Sequence, residues 1–120
     1  MIAKRHPLIG EHSPWGTIDS VEELADGITF VGTPGHGGIR LGPERIDEMP
    51  EPYRRFQSRH AKPPFYEEDC DWAVPVLAFA EEVPIDHVRN AIGIVRAMPA
   101  YFGQAIYEAA GIMLWLVGQS

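Results

Sequence analysis

The sequence predicts an α+β domain, in which a small antiparallel β-sheet from the N-terminal half is packed by two or three C-terminal helices. Three observations predict it. Prolines and glycines are concentrated in the first two-thirds of the chain, where they separate short β-prone segments. Ile28 to Val31 (ITFV) is β-rich and follows the turn signal Asp26-Gly27. Beyond residue 66 the spacing becomes helical, and Ile85, Val88, Ile92 and Val95 form a stripe at intervals of three and four.

Taken in order, Trp15 to Val21 reads as a weakly alternating strand and Glu22 to Ala25 as a helical turn. Ile28 to Val31 is the clearest strand. Pro34-Gly35 suits a type II turn, and Ile39 to Leu41 suits the returning strand, so residues 15–41 read as a two- or three-stranded meander. Pro43 then stands near the first position of a helix kept short by Pro50 and Pro52. Residues 50–64 read as an irregular connection closed by Pro63-Pro64. In the second half, Asp71 suits an N-cap, with Pro75 in a first turn where a missing N–H costs little. Residues 84–97 carry the amphipathic stripe, and Pro99 breaks it. Ala100 to Ala110 predicts another helix with Phe102 and Ile106 inward, stopped at Gly111. Ile112 to Val117 is then a buried strand or a final helical turn, because periodicity cannot separate the two in so short an apolar run.

A chain of 120 residues fits one domain, with residues 1–14 set apart as an N-terminal arm. Its 45% hydrophobic content supplies a core without a disulfide, and Cys70 is the only cysteine. The basic start MIAKRHPLIG is not followed by a signal-like apolar stretch. The most apolar run, GIMLWLVG at 111–118, falls far short of the ~20 residues that cross a bilayer. The expectation is a cytoplasmic protein without membrane contact. Ten basic residues against 17 acidic ones leave a net charge of −7, which argues against direct nucleic-acid binding by phosphate neutralisation. The same charge suits docking on a basic protein surface, or ordinary solubility.

Four places could carry chemistry. Tyr66-Glu67-Glu68-Asp69-Cys70-Asp71-Trp72 holds four carboxylates, but its spacing does not match a calcium loop and no glycine supplies the turn. These acids also suit a helix N-terminus. Cys70 could be a nucleophile with His36 as base, yet the neighbouring acids should raise its pKa and leave it inert. Thr33-Pro34-Gly35-His36-Gly37-Gly38 lacks the residues of a phosphate loop or a dinucleotide fingerprint; His36 could serve as base or metal ligand, or simply close a hairpin. Arg54, Arg55, Arg59, His60 and Lys62 form a basic strip interleaved with Tyr53 and Phe56. Downstream, Glu67, Glu68, Asp69, Asp71, Glu81, Glu82 and Asp86 lie in an interval without Lys or Arg, and on one face they would make an acidic docking surface.

The segments TPGHGGIRLGPERIDEMP (33–50) and FYEEDCDWAVPVLAF (65–79) resemble a family of small domains of unknown function found in proteobacterial phages, plasmids and mobile elements. The resemblance marks His36, Gly37, Gly38, Tyr66, Glu67, Glu68, Asp69, Cys70 and Trp72 as signature positions. It implies kinship rather than an activity. Small acidic proteins of such elements often occlude a host machine, as anti-CRISPR and anti-restriction inhibitors do. The functional expectation is therefore a non-enzymatic, anti-defence binding module without a cofactor. Its acidic face, Glu67, Glu68, Asp69, Asp71, Glu81, Glu82 and Asp86, would dock on a nucleic-acid-processing host complex such as a CRISPR effector or restriction machinery. The alternative is a small metal-binding protein or hydrolase centred on His36, Glu67 and Cys70 within the Glu67–Asp71 cluster. A buried pair between His36 and Glu67, Glu68 or Asp69 would explain why the two motifs occur together. The apolar C-terminal run with Trp115 suits either the core or the seam of a homodimer.

Overall fold

A computed structural model describes residues 6–118. The chain folds as α+β, with the β-part first and the helices after it. A two-stranded hairpin pairs β1 (His12–Ser13) with β2 (Gly16–Thr17). A four-stranded antiparallel sheet follows in the order β3 (Ser20–Ala25), β4 (Ile28–Gly32), β5 (Gly37–Leu41) and β6 (Phe65–Glu67). Between β5 and β6 lie α1 (Pro43–Glu48) and a 3-10 turn at Tyr53–Arg55. The helical part comprises α2 (Ala73–Ala78), α3 (Ile85–Ala97), α4 (Pro99–Phe102) and α5 (Gln104–Gly118).

Side chains alternate across a pleated sheet, so its register assigns two faces. Ile28 is paired with Leu41, Phe30 with Ile39, and Ile39 with Tyr66, which sets these residues on the face that the helices cover. Val21 and Val31 face the other way, where Val31 is buried with Leu8 and Ile18 beneath the N-terminal segment. Of the arm expected over 1–14, residues 1–5 lie outside the described part, whereas Leu8 belongs to this second core. The result is three layers: N-terminal hairpin, sheet and helices.

Several local expectations change. Glu22–Ala25 is not a helical turn but part of β3, whose ladder with β4 satisfies backbone groups that so short a helix would leave unpaired. Phe65–Glu67, the start of the acidic motif, is a strand paired with β5. Asp71 does not cap α2; Trp72 occupies the cap position without a side-chain hydrogen bond, and Asp71 is wholly buried. The helix expected over 100–110 is divided at Gly103, whose φ of 89° suits glycine. Gly111 has no such conformation, so α5 runs through it to Gly118 instead of stopping. Residues 112–117 are therefore helical and not a strand; Met113 and Val117 pack against the main core, whereas Ile112, Leu114, Trp115 and Leu116 are exposed.

The HGG motif has a steric explanation. Gly38 pairs with Glu67 across β5 and β6, and the Trp15 ring lies over it. A methyl group at Gly38 would overlap the Tyr66 carbonyl oxygen and stand 2.6 Å from Trp15 Cη2. Trp15 meets Phe65 edge-to-face at 5.7 Å, which fixes the ring in that place. Gly38→Ala should therefore cost about 3 kcal/mol of stability by overpacking, measured by chemical denaturation. A loss under about 1 kcal/mol would mean that β6 shifts freely.

Candidate functional site

The carboxylate motif folds inward and becomes structure. Strand β6 carries Glu67 opposite Gly38, and the Glu68 backbone N–H donates to the Gly37 carbonyl at 3.0 Å. Glu67 Oε1 accepts from the backbone N–H of Asp69 at 2.8 Å and of Cys70 at 3.3 Å, closing the turn into α2. Burial holds this carboxyl above its usual range; the Asp69 side chain adds to the shift, and the two backbone hydrogen bonds oppose it. Asp71 has no solvent exposure and accepts hydrogen bonds from the Ser58 and Tyr101 hydroxyls, with the Cys70 thiol 3.7 Å away. Burial, followed by the bond to Asp71, pushes the Tyr101 phenol up. The Cys70 thiol is also raised, chiefly by burial; Asp71 and Glu67 add to the shift and a bond with Tyr101 opposes it.

These positions correct the site expected from the sequence. Glu67 and Asp71 are buried and cannot belong to an exposed docking face. Cys70 faces Asp71 and Tyr101 in the interior, whereas His36 is exposed on the β4–β5 turn. The motifs do meet, through the ladder between β5 and β6. Among the carboxylates, His36 reaches Glu68: its Nδ1 lies 3.5 Å from Glu68 Oε1, with the side chains 64% and 42% exposed. The expected buried pair is thus a solvated one. Among the described residues, no group of three or more His, Cys, Asp and Glu is gathered to hold a metal ion.

The remaining acids separate into two groups. Glu68 and Asp69 lie at the Gly37 end of β5. Glu82 lies toward the Leu41 end, where both Oε atoms receive the Arg45 guanidinium at 2.6 and 2.8 Å, and Arg45 Nε donates to the Asp26 carbonyl at 2.7 Å. Asp26 adjoins Gly27, whose carbonyl accepts from Gly42 next to Leu41. Four rises of strand, about 14 Å, part the two groups. Glu82 is already paired within the chain, while Glu81 and Asp86 are exposed. The basic strip is largely exposed, and Arg54 and Lys62 line an open hollow of about 580 Å³ with Phe56 and Ser58.

A second open cleft lies at the His36 end. Thr33 closes the turn, its hydroxyl donating to the His36 carbonyl at 2.7 Å and its backbone N–H to the same carbonyl at 2.9 Å. Immediately before and after that turn, Gly32 and Gly37 are paired on the face of the sheet that carries Phe30. Both positions are crowded: a Cβ at Gly32 would overlap the Ser20 hydroxyl, and one at Gly37 would stand 2.5 Å from the Val31 carbonyl oxygen. The hollow holds about 440 Å³ and is lined by Ser20, Glu22, Phe30, His36 and Glu68 over the two glycines. Glu22, Phe30 and Gly32 were not legible as site residues, since only the strand register brings them to His36. Glycine at both strand ends was the available signal.

A family model described as Domain of unknown function (DUF7007) matches residues 9–111, and the chain belongs to that family. No curated protein and no solved structure matches the chain. The matched span includes the hairpin, the sheet and the buried network around Asp71.

A buried polar group left without a hydrogen-bond partner keeps its desolvation cost. Asp71→Asn, which replaces one accepting oxygen by an NH2 group facing a hydroxyl, and Tyr101→Phe should each lose about 1–3 kcal/mol in urea denaturation. Equal stability of Asp71→Asn and the parent would show that the second carboxylate oxygen is not needed.

Proposed function

We propose that this member of the DUF7007 family is a non-enzymatic protein-binding module that seats a cationic side chain of its partner in the His36 cleft. One observation carries the reading: Glu22 and Glu68 line the same glycine-floored hollow as the Phe30 ring. A single exposed ion pair contributes only about 0–1 kcal/mol. Two carboxylates beside one aromatic surface can do more, because a guanidinium or ammonium group placed over the ring adds about 0.5–2 kcal/mol. The net charge of −7 favours approach of a basic surface, an effect that salt weakens.

Binding is favoured over a hydrolase or metal centre on His36, Glu67 and Cys70 because three groups of the Glu67–Asp71 cluster are otherwise engaged, away from the exposed His36. Cys70 is buried with a raised pKa, Glu67 closes the turn before α2, and Asp71 holds Ser58 and Tyr101. For the partner we propose a host complex that processes nucleic acid, with a CRISPR effector or restriction machinery as the kind of target. Its basic groove would supply the cation, and the resemblance to domains of phages and mobile elements supplies the context. Docking there would be anti-defence by occlusion.

The test is capture of the partner from native-host lysate at low salt, comparing the parent with the double variant Glu22→Lys, Glu68→Lys. Both positions are exposed, so melting temperature should hardly change. The variant should retain the partner about tenfold less well, the equivalent of 1.4 kcal/mol. Equal retention of the same partner would refute docking at the cleft.

A further inference from the structure

We infer that the chain pairs with a second copy of itself through α5. From Gly111 to Gly118 this helix carries no charged side chain, and Ile112, Leu114, Trp115 and Leu116 are all at least half exposed, Trp115 by 64%. Ile112, Trp115 and Leu116 stand at i, i+3 and i+4, which places them in one outward stripe, with Leu114 on its flank. Leu116, Met113 and Val117 line a groove of about 320 Å³ with Ile85 and Val88 of α3. Isolated exposed apolar residues are ordinary, but a contiguous patch at one helix end marks an interaction surface.

Charge beside the stripe selects the occupant. Helix α3 runs along α5 in the opposite direction: its Arg96 end lies over the Tyr107 ring at 4.3 Å and against Gly111, and its Ile85 end lies beside Leu116. Arg89 and Arg96 are exposed, and among the described residues no carboxylate pairs with either. At the other end Glu81 and Asp86 are exposed, and among the described residues no base pairs with them. A purely basic partner would oppose the arginines, and a purely acidic one would oppose the carboxylates. A second copy matches both.

The symmetry follows. A two-fold axis perpendicular to α5 reverses position along the helix and keeps each flank on its own side. It therefore lays the Arg96 end of one protomer on the Glu81–Asp86 end of its partner, twice over. With the axis level with residue 91, Asp86 faces Arg96, and Arg89 faces Gly93, where no side chain stands. The apolar stripes meet between these charged ends. The cleft at His36 takes no part, so this inference and the docking reading stand or fall separately.

Sedimentation velocity on the full chain over a concentration series tests it. The parent should form a dimer with a dissociation constant on the order of 10 µM or tighter, and its Trp115 emission should shift to shorter wavelength on pairing. Leu116→Asp should leave a monomer; the residue is exposed, so folding should persist, as circular dichroism would verify. Arg96→Glu should weaken pairing about tenfold, and adding Asp86→Arg should restore it. A parent that stays monomeric throughout, or a dimer indifferent to Leu116→Asp, would overturn the inference. A charge swap that fails to restore pairing would overturn the antiparallel arrangement.

Discussion

The fold depends on a carboxylate that water does not reach. Taking a polar side chain out of solvent costs free energy unless its oxygens are hydrogen-bonded, so Asp71 constrains whatever surrounds it. Its donors come from separate parts of the chain: Ser58 from the irregular connection and Tyr101 from α4, with Cys70 from the turn before α2 close by. Ser58 also accepts from the backbone N–H of His60 and Ala61, which orders a segment without regular structure. Phe56 stacks on Phe102 at 5.6 Å and meets Tyr101 edge-to-face at 5.8 Å, so the apolar contacts reinforce the same junction.

With that junction fixed, β6 is set in place and the rest of the β-part follows. Tyr66 inserts into the main core, Glu67 closes the turn, and Gly38 lets β5 and Trp15 approach it. The two signature motifs are therefore two adjacent strands, and most of their residues serve packing. The remainder is chemically free. Glu68 and His36 emerge at the Gly37 end of the sheet, and a hollow beside them is lined by the paired glycines 32 and 37. The proposed docking site lies there because Glu22, His36 and Glu68 line one cavity with Phe30, not because the motif is acidic.

Much of the architecture was legible in the sequence, and the failures have definite causes. The stripe of α3 needed only its own periodicity, and ITFV after Asp26-Gly27 needed only local turn chemistry. Strand β6 was hidden because Phe65–Glu67 is three residues long and takes its hydrogen bonds from β5. The fate of the carboxylates was hidden for a similar reason. Asp71 and Asp69 look alike in sequence, yet one is buried and the other exposed, and the difference is made by Ser58 and Tyr101, 13 and 30 residues away. The acidic face failed as a unit because proximity in sequence did not survive folding: β5 separates Glu68 from Glu82, and Arg45 neutralises the latter.

The most direct test of the cleft is a backbone NMR titration of the isotope-labelled chain with a short arginine-rich peptide at low salt. Docking in the hollow predicts saturable shifts confined to Ser20–Glu22, Phe30–Gly37 and Glu68, which disappear as salt is raised. Shifts centred on Glu81 and Asp86, or scattered over all the acids without saturation, would contradict it.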